Sequence, residues 1–304
     1  MADDAPTARG ERRAVTVPPG PGRRGAVVVR PAVRSGAAGS GTLGEDAGMP
    51  APRTRPALAT TLRALRAPFD RTGEAAAVPQ AFDQDATSYD RRVGANPGYH
   101  EHLRRSADRL GLPGGGAGLR LLDVGCGTGL STAALLEACP HAEIVAADAS
   151  AEMLAQARAK TWPSSVRFVH SRAEDLPADE GPFDGILAAY LLLNLPDVDA
   201  GVAVLRGLLR PGAPLAVHEY SVADSAVARA TWTAVCWGII IPLGWRVTGD
   251  PALYRYLWRS VLHFDGIARL QQRLRDAGFE AVRAEDMDGW QRGIVHTVLG
   301  AAPM

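Results

Sequence analysis

The stretch Leu121 to Ser131 reads LLDVGCGTGLS and concentrates more chemistry than any other in the chain. Gly125, Gly127 and Gly129 let a strand turn sharply into a helix and let a ligand lie against bare main chain. The spacing is G-x-G-x-G, whereas a dinucleotide pyrophosphate prefers G-x-G-x-x-G. Asp123 stands two residues before the first glycine. An acid at the strand end and exposed amides in a turn that also holds Cys126 suit the ammonium and carboxylate of a methionine better than a phosphate. That points to S-adenosyl-L-methionine (SAM). Further on, AEIVAAD ends in Asp148, where a carboxylate can accept hydrogen bonds from both ribose hydroxyls. Ala149 adjoins it, Ser150 caps the next helix, and Met153 is placed to pack toward adenine. SRAEDLP then puts Ala173, Glu174 and Asp175 after a third strand, where an amide and an acid can read the adenine edge. Tyr190, closing a fourth strand, completes the expected cofactor set. Any one of these acids alone would be a turn residue or a helix cap. Three on successive strand-to-helix turns make a SAM site.

Such a site needs a parallel sheet to carry it. LRLLDV (119–124), AEIVAAD (142–148), VRFVHS (166–171), FDGILAAY (183–190) and APLAVHEYS (213–221) read as strands. Helices are expected over 131–139, 151–160 and 198–209. This alternation gives βαβ units and an α/β, doubly wound sheet covered on both faces. A helical, Trp-rich insertion spans 225–262, followed by a helix over 266–277 and the strands FEAVRAEDM and GIVHTVLG. The most apolar run, WTAVCWGIIIPLGW (232–245), has 14 residues and contains Pro242 and two glycines, short of the roughly 20 a bilayer span needs. It reads as a buried or interfacial segment.

Composition narrows the partners. Residues 1–78 hold twelve Arg against seven acids, and the rest holds 21 basic against 26 acidic residues, so the catalytic part has no basic footprint for nucleic acid. A small-molecule acceptor fits better. Three cysteines without C-x-x-C spacing suggest neither disulfides nor a metal site, and a cytoplasmic setting is expected. Residues 1–56 are rich in Ala, Gly, Pro and Arg and are expected to be disordered. Residues 57–78 hold an amphipathic helix and linker, with Leu58, Leu62, Leu65 and Phe69 near one face. The catalytic domain is expected over 79–304. A homodimer and a peripheral membrane contact are both compatible with this reading.

LDVGCGTG, AADASAEML, AEDLP and LLRPGAPLAVHEYS resemble the motifs of class I SAM-dependent methyltransferases in order and spacing. AFDQDATSYD, NLPD, GDPALYRYLWRSVLHF, LRDAGFEAV and GIVH further resemble the ubiquinone/menaquinone biosynthesis C-methyltransferase family, a likeness covering nearly all of 81–300. The resemblance implies a Rossmann-like seven-stranded, mostly parallel sheet in the order 3-2-1-4-5-7-6 with strand 7 antiparallel, and a helical substrate cover. It also implies a helix carrying Tyr89 that closes over SAM, and methylation of a ring carbon on a polyprenyl hydroquinone. The family carries an Arg-Asn pair after the fourth strand, thought to assist deprotonation of the ring hydroxyl; here the pair is Leu193-Asn194. The family's C-terminal His lies five residues after a Gly, whereas His296 lies three after Gly293, on the same strand face.

With the Arg gone, the base is sought elsewhere. His218 and Tyr220 flank Glu219 at the end of the fifth strand, and His263 and His296 are further choices; His218, His296 and Asn194 form the candidate catalytic set. Trp232, Trp237, Trp245 and Trp258 are expected to divide between core and a pocket wall for a flat apolar ring. Two rival readings remain: a C- or O-methyltransferase of a pigment, carotenoid-derived or polyketide metabolite, and a catalytically silent SAM-binding partner protein.

Overall fold

The computed structural model describes residues 98–177, 180–248 and 251–304, together with Asp90, Val93 and Asn96. The tail 1–56, the segment 57–78 and Tyr89 lie outside the described residues.

The elements follow the apolar runs closely. In chain order they are α1 Tyr99–Asp108, β1 Arg120–Val124, α2 Leu130–Ala138, β2 Glu143–Asp148, α3 Ala151–Arg158, β3 Val166–His170 and β4 Gly185–Ala189. There follow α4 Val198–Gly207, β5 Pro214–Tyr220, α5 Ala226–Val235, a π-helical turn Cys236–Ile240, α6 Ile241–Thr248 and α7 Ala252–His263. The chain closes with α8 Ile267–Asp276, β6 Glu280–Asp286 and β7 Val295–Ala301. The seven strands form one sheet in the order β3-β2-β1-β4-β5-β7-β6, as the resemblance implied. β1 to β5 run parallel, and β7 pairs antiparallel with both β5 and β6. Leu122, Ile186, Leu187, Leu215 and Val217 are all fully buried on the central strands, which is why those strands read as unbroken apolar runs.

One helix was not legible in the sequence. α1 carries only Tyr99, Leu103 and Ala107 as apolar positions among its His and charged residues, yet these three, with His102 and Ser106, form its buried face. It packs on α2 and on the ends of β4 and β5.

The cover also differs from expectation. Ala226–Arg246 is one helical run of 21 residues, long and apolar enough by length and composition to cross a membrane. Pro242 does not break it. Proline gives no N–H and its ring crowds the carbonyl four residues back, here Gly238; the widened π turn lies at that point. Trp232, Cys236 and Trp258 are fully buried, and the rings of Trp237 and Trp258 meet edge to face at 5.4 Å. Of the four tryptophans expected to divide between core and pocket wall, none lies on the cavity described below. Trp232 joins the cover to Tyr220 of the sheet, Trp237 and Trp258 pack within the cover, and Trp245 is exposed.

Candidate functional site

The C-terminal ends of β1 to β5 open into a cavity of about 690 Å³. Its near wall comes from Gly125, Cys126 and Gly127 after β1, Asp148, Ala149 and Ser150 after β2, Met153 of α3, and Ala173 and Glu174 after β3. Gly127 has φ 54, and a Cβ there would meet nothing within 4 Å, so the turn presents bare backbone to open space. Both Asp148 oxygens accept backbone N–H bonds, Oδ2 from Gly127 at 2.7 Å and Oδ1 from Ser150 at 2.8 Å. A carboxylate oxygen has two lone pairs, so one that accepts a backbone N–H can also accept from a ligand hydroxyl. Ser150 Oγ accepts from the Met153 N–H at 3.0 Å and caps α3. Asp90 accepts a hydrogen bond from the Thr128 hydroxyl and pairs with Lys160 at 2.5 Å at the rim of the turn.

Two residues expected to touch cofactor do other work. Gly129 is absent from the cavity wall; its φ is 87, and a Cβ would come within 2.8 Å of the Trp162 ring. It is glycine because the turn into α2 is left-handed and Trp162 is close. Asp123 is fully buried beneath the turn, where its Oδ2 accepts from Ser131 at 2.8 Å and Thr132 at 2.6 Å, fastening the first turn of α2 to β1. Its Oδ1 is buried with no hydrogen-bond partner among the described residues. This orphaned acid oxygen lies beneath the open glycine turn and off the cavity wall, where a ligand ammonium would reach it only through water.

Burial raises the Asp123 carboxyl from its ordinary 3.8 to about 7, opposed by the two hydroxyl bonds. Between those values the folded state holds a proton that the unfolded chain has released. Stability therefore falls as pH rises from about 4 to 7. Asp123→Asn should remove this contribution, making the variant's stability flatter than wild type over that window. Denaturant titration of the ligand-free protein at pH 5 and pH 7.5 would test it, and identical slopes for both proteins would refute it.

The remaining wall is built by the ends of β4 and β5 and by the cover, and it includes Tyr190 of the expected cofactor set. Tyr190, Leu191, Leu193 and Asn194 follow β4, and Tyr220 ends β5. Val235, Ile239, Ile240, Leu243, Leu253, Tyr256 and Leu257 come from the cover. Asn194 is oriented at both ends, since its Nδ2 donates to Tyr190 O at 2.8 Å and its Oδ1 accepts from Tyr256 Oη at 3.1 Å. Tyr256 belongs to the YRYLW segment, whose motif signal gave no residue role. Tyr99, Asn96 and Trp290 also line the cavity and had no signal in the sequence.

The histidines separate sharply. His263 is exposed and bonds through Nδ1 to Arg259 O at 2.8 Å, away from the cavity. His296 contacts Ser221 O at 3.2 Å and pairs with Asp286 at 2.5 Å, on a small separate cleft beside β6. Although it sits on the strand face expected, that face serves the sheet edge. His218 is fully buried and absent from the cavity wall, so it does not meet an acceptor directly. Its Nε2 lies 2.9 Å from Tyr190 Oη, and its Nδ1 lies 2.8 Å from Ser106 Oγ. Burial, reinforced by His102, Arg109 and His296, brings its pKa down to about 3. It is neutral at working pH. Glu219 is likewise inside, accepting from the Leu193 and Tyr220 backbone N–H groups at 3.2 and 3.1 Å.

Comparison with known proteins agrees with this geometry. The profile of the ubiE/COQ5 methyltransferase family matches residues 72–301. The demethylmenaquinone methyltransferase of Clavibacter sepedonicus is 31% identical over 228 residues, covering 74% of this chain and 90% of that protein. The ubiquinone/menaquinone biosynthesis C-methyltransferase UbiE of Pseudomonas paraeruginosa is 31% identical over 232 residues, covering 74% and 89%. Among solved structures, a SAM-dependent methyltransferase of Thermotoga maritima, titled a possible histamine N-methyltransferase, superposes with TM-score 0.53 at 18% identity, covering 73% of this chain and 97% of that one. The [4+2]-cyclase SpnF superposes with TM-score 0.55 at 19% identity, covering 75% and 95%. These two share the fold alone. With its sheet order, glycine turn and family profile in agreement, the chain belongs to the ubiE/COQ5 methyltransferase family and is a SAM-dependent methyltransferase.

Proposed function

We propose that the chain methylates a ring carbon of an apolar, quinol-type acceptor. The observation that carries this reading is the two-sided cavity, polar and glycine-lined at the sheet, aliphatic along the cover. A flat ring with an apolar chain fits that second wall, and the relatives named above act on quinones by their names. When bound, SAM supplies the electrophilic methyl group. Asp148 takes the ribose hydroxyls, Glu174 and the Ala173 amide read the adenine edge, and Met153 packs against it. The bare backbone of the Gly125–Gly127 turn leaves room for the methionine end, while its own N–H groups donate to Ala147 O and Asp148 Oδ2. Asn194, fixed between Tyr190 and Tyr256, orients the acceptor. Rate comes mainly from holding ring carbon and methyl in line, with water kept out by the cover.

Leu193 favours a second acceptor class. It lies on the cavity wall where the family carries an arginine, so recognition of the family's quinol hydroxyl is altered, and a pigment or polyketide phenol becomes the alternative. Incubation with labelled SAM, a panel of prenylated quinols and non-prenylated polyphenols, and product identification by mass decides between them. Label on a prenylated quinol ring supports the proposal. Label only on the polyphenols overturns it in favour of the second reading, and SAM binding without any transfer leaves a silent partner protein.

A further inference from the structure

We propose that the Tyr190 phenol is the proton acceptor for the acceptor's ring hydroxyl, and that His218 is a positioning residue that stabilises its ionised form. This rests on the phenolic acceptor proposed above and gives it the base that Leu193 cannot supply.

The backbone points to Tyr190 first. It has φ 54, a left-handed conformation that tyrosine rarely adopts. Such a conformation persists where surroundings over-determine it, and these do. Its N–H donates to His218 O at 2.7 Å, and its carbonyl accepts from Asn194 Nδ2 at 2.8 Å. Its ring is stacked between Tyr220 at 4.8 Å and Tyr99 at 5.7 Å. The ring is thus held on the cavity wall in one orientation, with its oxygen against His218.

Behind His218 runs a buried hydrogen-bonded chain that ends on a cation. Arg109 has donors only, and its Nη1 donates to Thr297 Oγ1 at 2.7 Å. Thr297 Oγ1 lies 2.7 Å from Ser106 Oγ, and Ser106 Oγ lies 2.8 Å from His218 Nδ1; the proposed relay takes the arrangement in which Thr297 donates to Ser106 and Ser106 to Nδ1. With Nδ1 accepting, the neutral imidazole carries its proton on Nε2 and donates it to Tyr190 Oη. Ser106, His218 and Thr297 are fully buried, so the chain works in a low dielectric. A hydrogen bond to the charged form favours that form, and the Arg109 cation polarises the chain in the same sense. The charged and titratable groups around it are His102 and Arg109 from α1, His296 from β7 and Glu285 from β6, which pairs with Arg109 at 2.9 Å.

The proton step balances simply. The acceptor's O–H bond breaks and an O–H bond forms on the Tyr190 phenolate, while the electron pair stays on the acceptor's oxygen and enriches its ring carbon. The S–CH3 bond breaks as the ring C–CH3 bond forms, and the ring carbon still carries its hydrogen. That C–H bond then breaks and its proton leaves to water as the ring regains aromaticity, while Tyr190 returns the first proton to the ring oxygen. One proton is thus released per turnover. His218 gains none, in keeping with its burial.

The test is an ultraviolet tyrosinate titration of the ligand-free full chain, which contains six tyrosines. Wild type should show one tyrosine ionising at least about one pH unit below the ordinary value near 10. Tyr190→Phe should lose that early transition. His218→Leu should move it up by about one unit or more, whereas His218→Gln, which keeps an N–H donor, should restore part of the shift. With an identified acceptor, the kcat–pH profile of His218→Leu should shift to higher pH by the same amount while its KM for SAM stays unchanged. Six tyrosines titrating together, or an early transition indifferent to both His218 variants, overturns the proposal. If His218→Leu fails to fold, Tyr190→Phe decides, since it removes one oxygen and keeps the stacked ring. The titration needs no acceptor, so an early Tyr190 with no methylated quinol would refute the acceptor reading alone, and a uniform titration with quinol methylated would refute only the relay.

Discussion

Asp148→Ala is expected to weaken SAM binding by about 1.5–3 kcal/mol, the range for hydrogen bonds to a charged group, or about 10- to 150-fold. Besides the ribose role proposed for it, the carboxylate holds the loop through the N–H groups of Gly127 and Ser150. Gly127→Val should leave no measurable binding, because valine resists φ 54 and its side chain would project into the cavity. Gly129→Ala gives the contrast. Its strain and its clash with Trp162 lie off the cavity wall, so it should lower the melting temperature more than it lowers SAM affinity. Calorimetry on the three variants tests the set. Wild-type affinity in both Asp148→Ala and Gly127→Val would remove the basis for placing the cofactor on this turn.

Trp232→Ala should cost about 3–5 kcal/mol of stability, as expected for truncating a fully buried large ring. Trp232 packs on Tyr220 at 4.8 Å, and its Nε1 donates to Trp258 O at 3.3 Å, joining α5, α7 and β5 at one point. Because Tyr220 in turn stacks on Tyr190, the loss should also loosen the acceptor side of the cavity. Urea denaturation monitored by circular dichroism measures the effect. A cost below about 1 kcal/mol would mean that the cover is not held through this ring.

The strands and the cofactor turn were legible because their signals are local. An apolar run such as LRLLDV has to be buried on both faces, and a glycine turn followed by Asp148 lies within one βαβ unit. Even there, spacing alone could not separate a residue under the turn from one on it, as Asp123 and Gly129 show. The relay behind Tyr190 was illegible for the opposite reason. Ser106 meets His218 and Thr297 across 112 and 191 residues, and no spacing rule links positions so far apart. His218 was a fair candidate by residue type, but its depth was invisible: alternation places a side chain on a face, and says nothing of what covers that face. The tryptophans misled similarly, since a large aromatic beside a cavity and one behind it look the same in sequence.

The cover occupies one contiguous block from Ala226 to His263, between β5 and α8, while the glycine turn and Asp148 come from β1 and β2. Most of the aliphatic acceptor wall is therefore encoded separately from the cofactor wall. Substitutions in that block can reshape the aliphatic wall without altering the glycine turn or Asp148, while Tyr190, Leu193 and Asn194 after β4 stay unchanged. A lineage with such an arrangement can drift from one phenol to another while each intermediate still binds SAM.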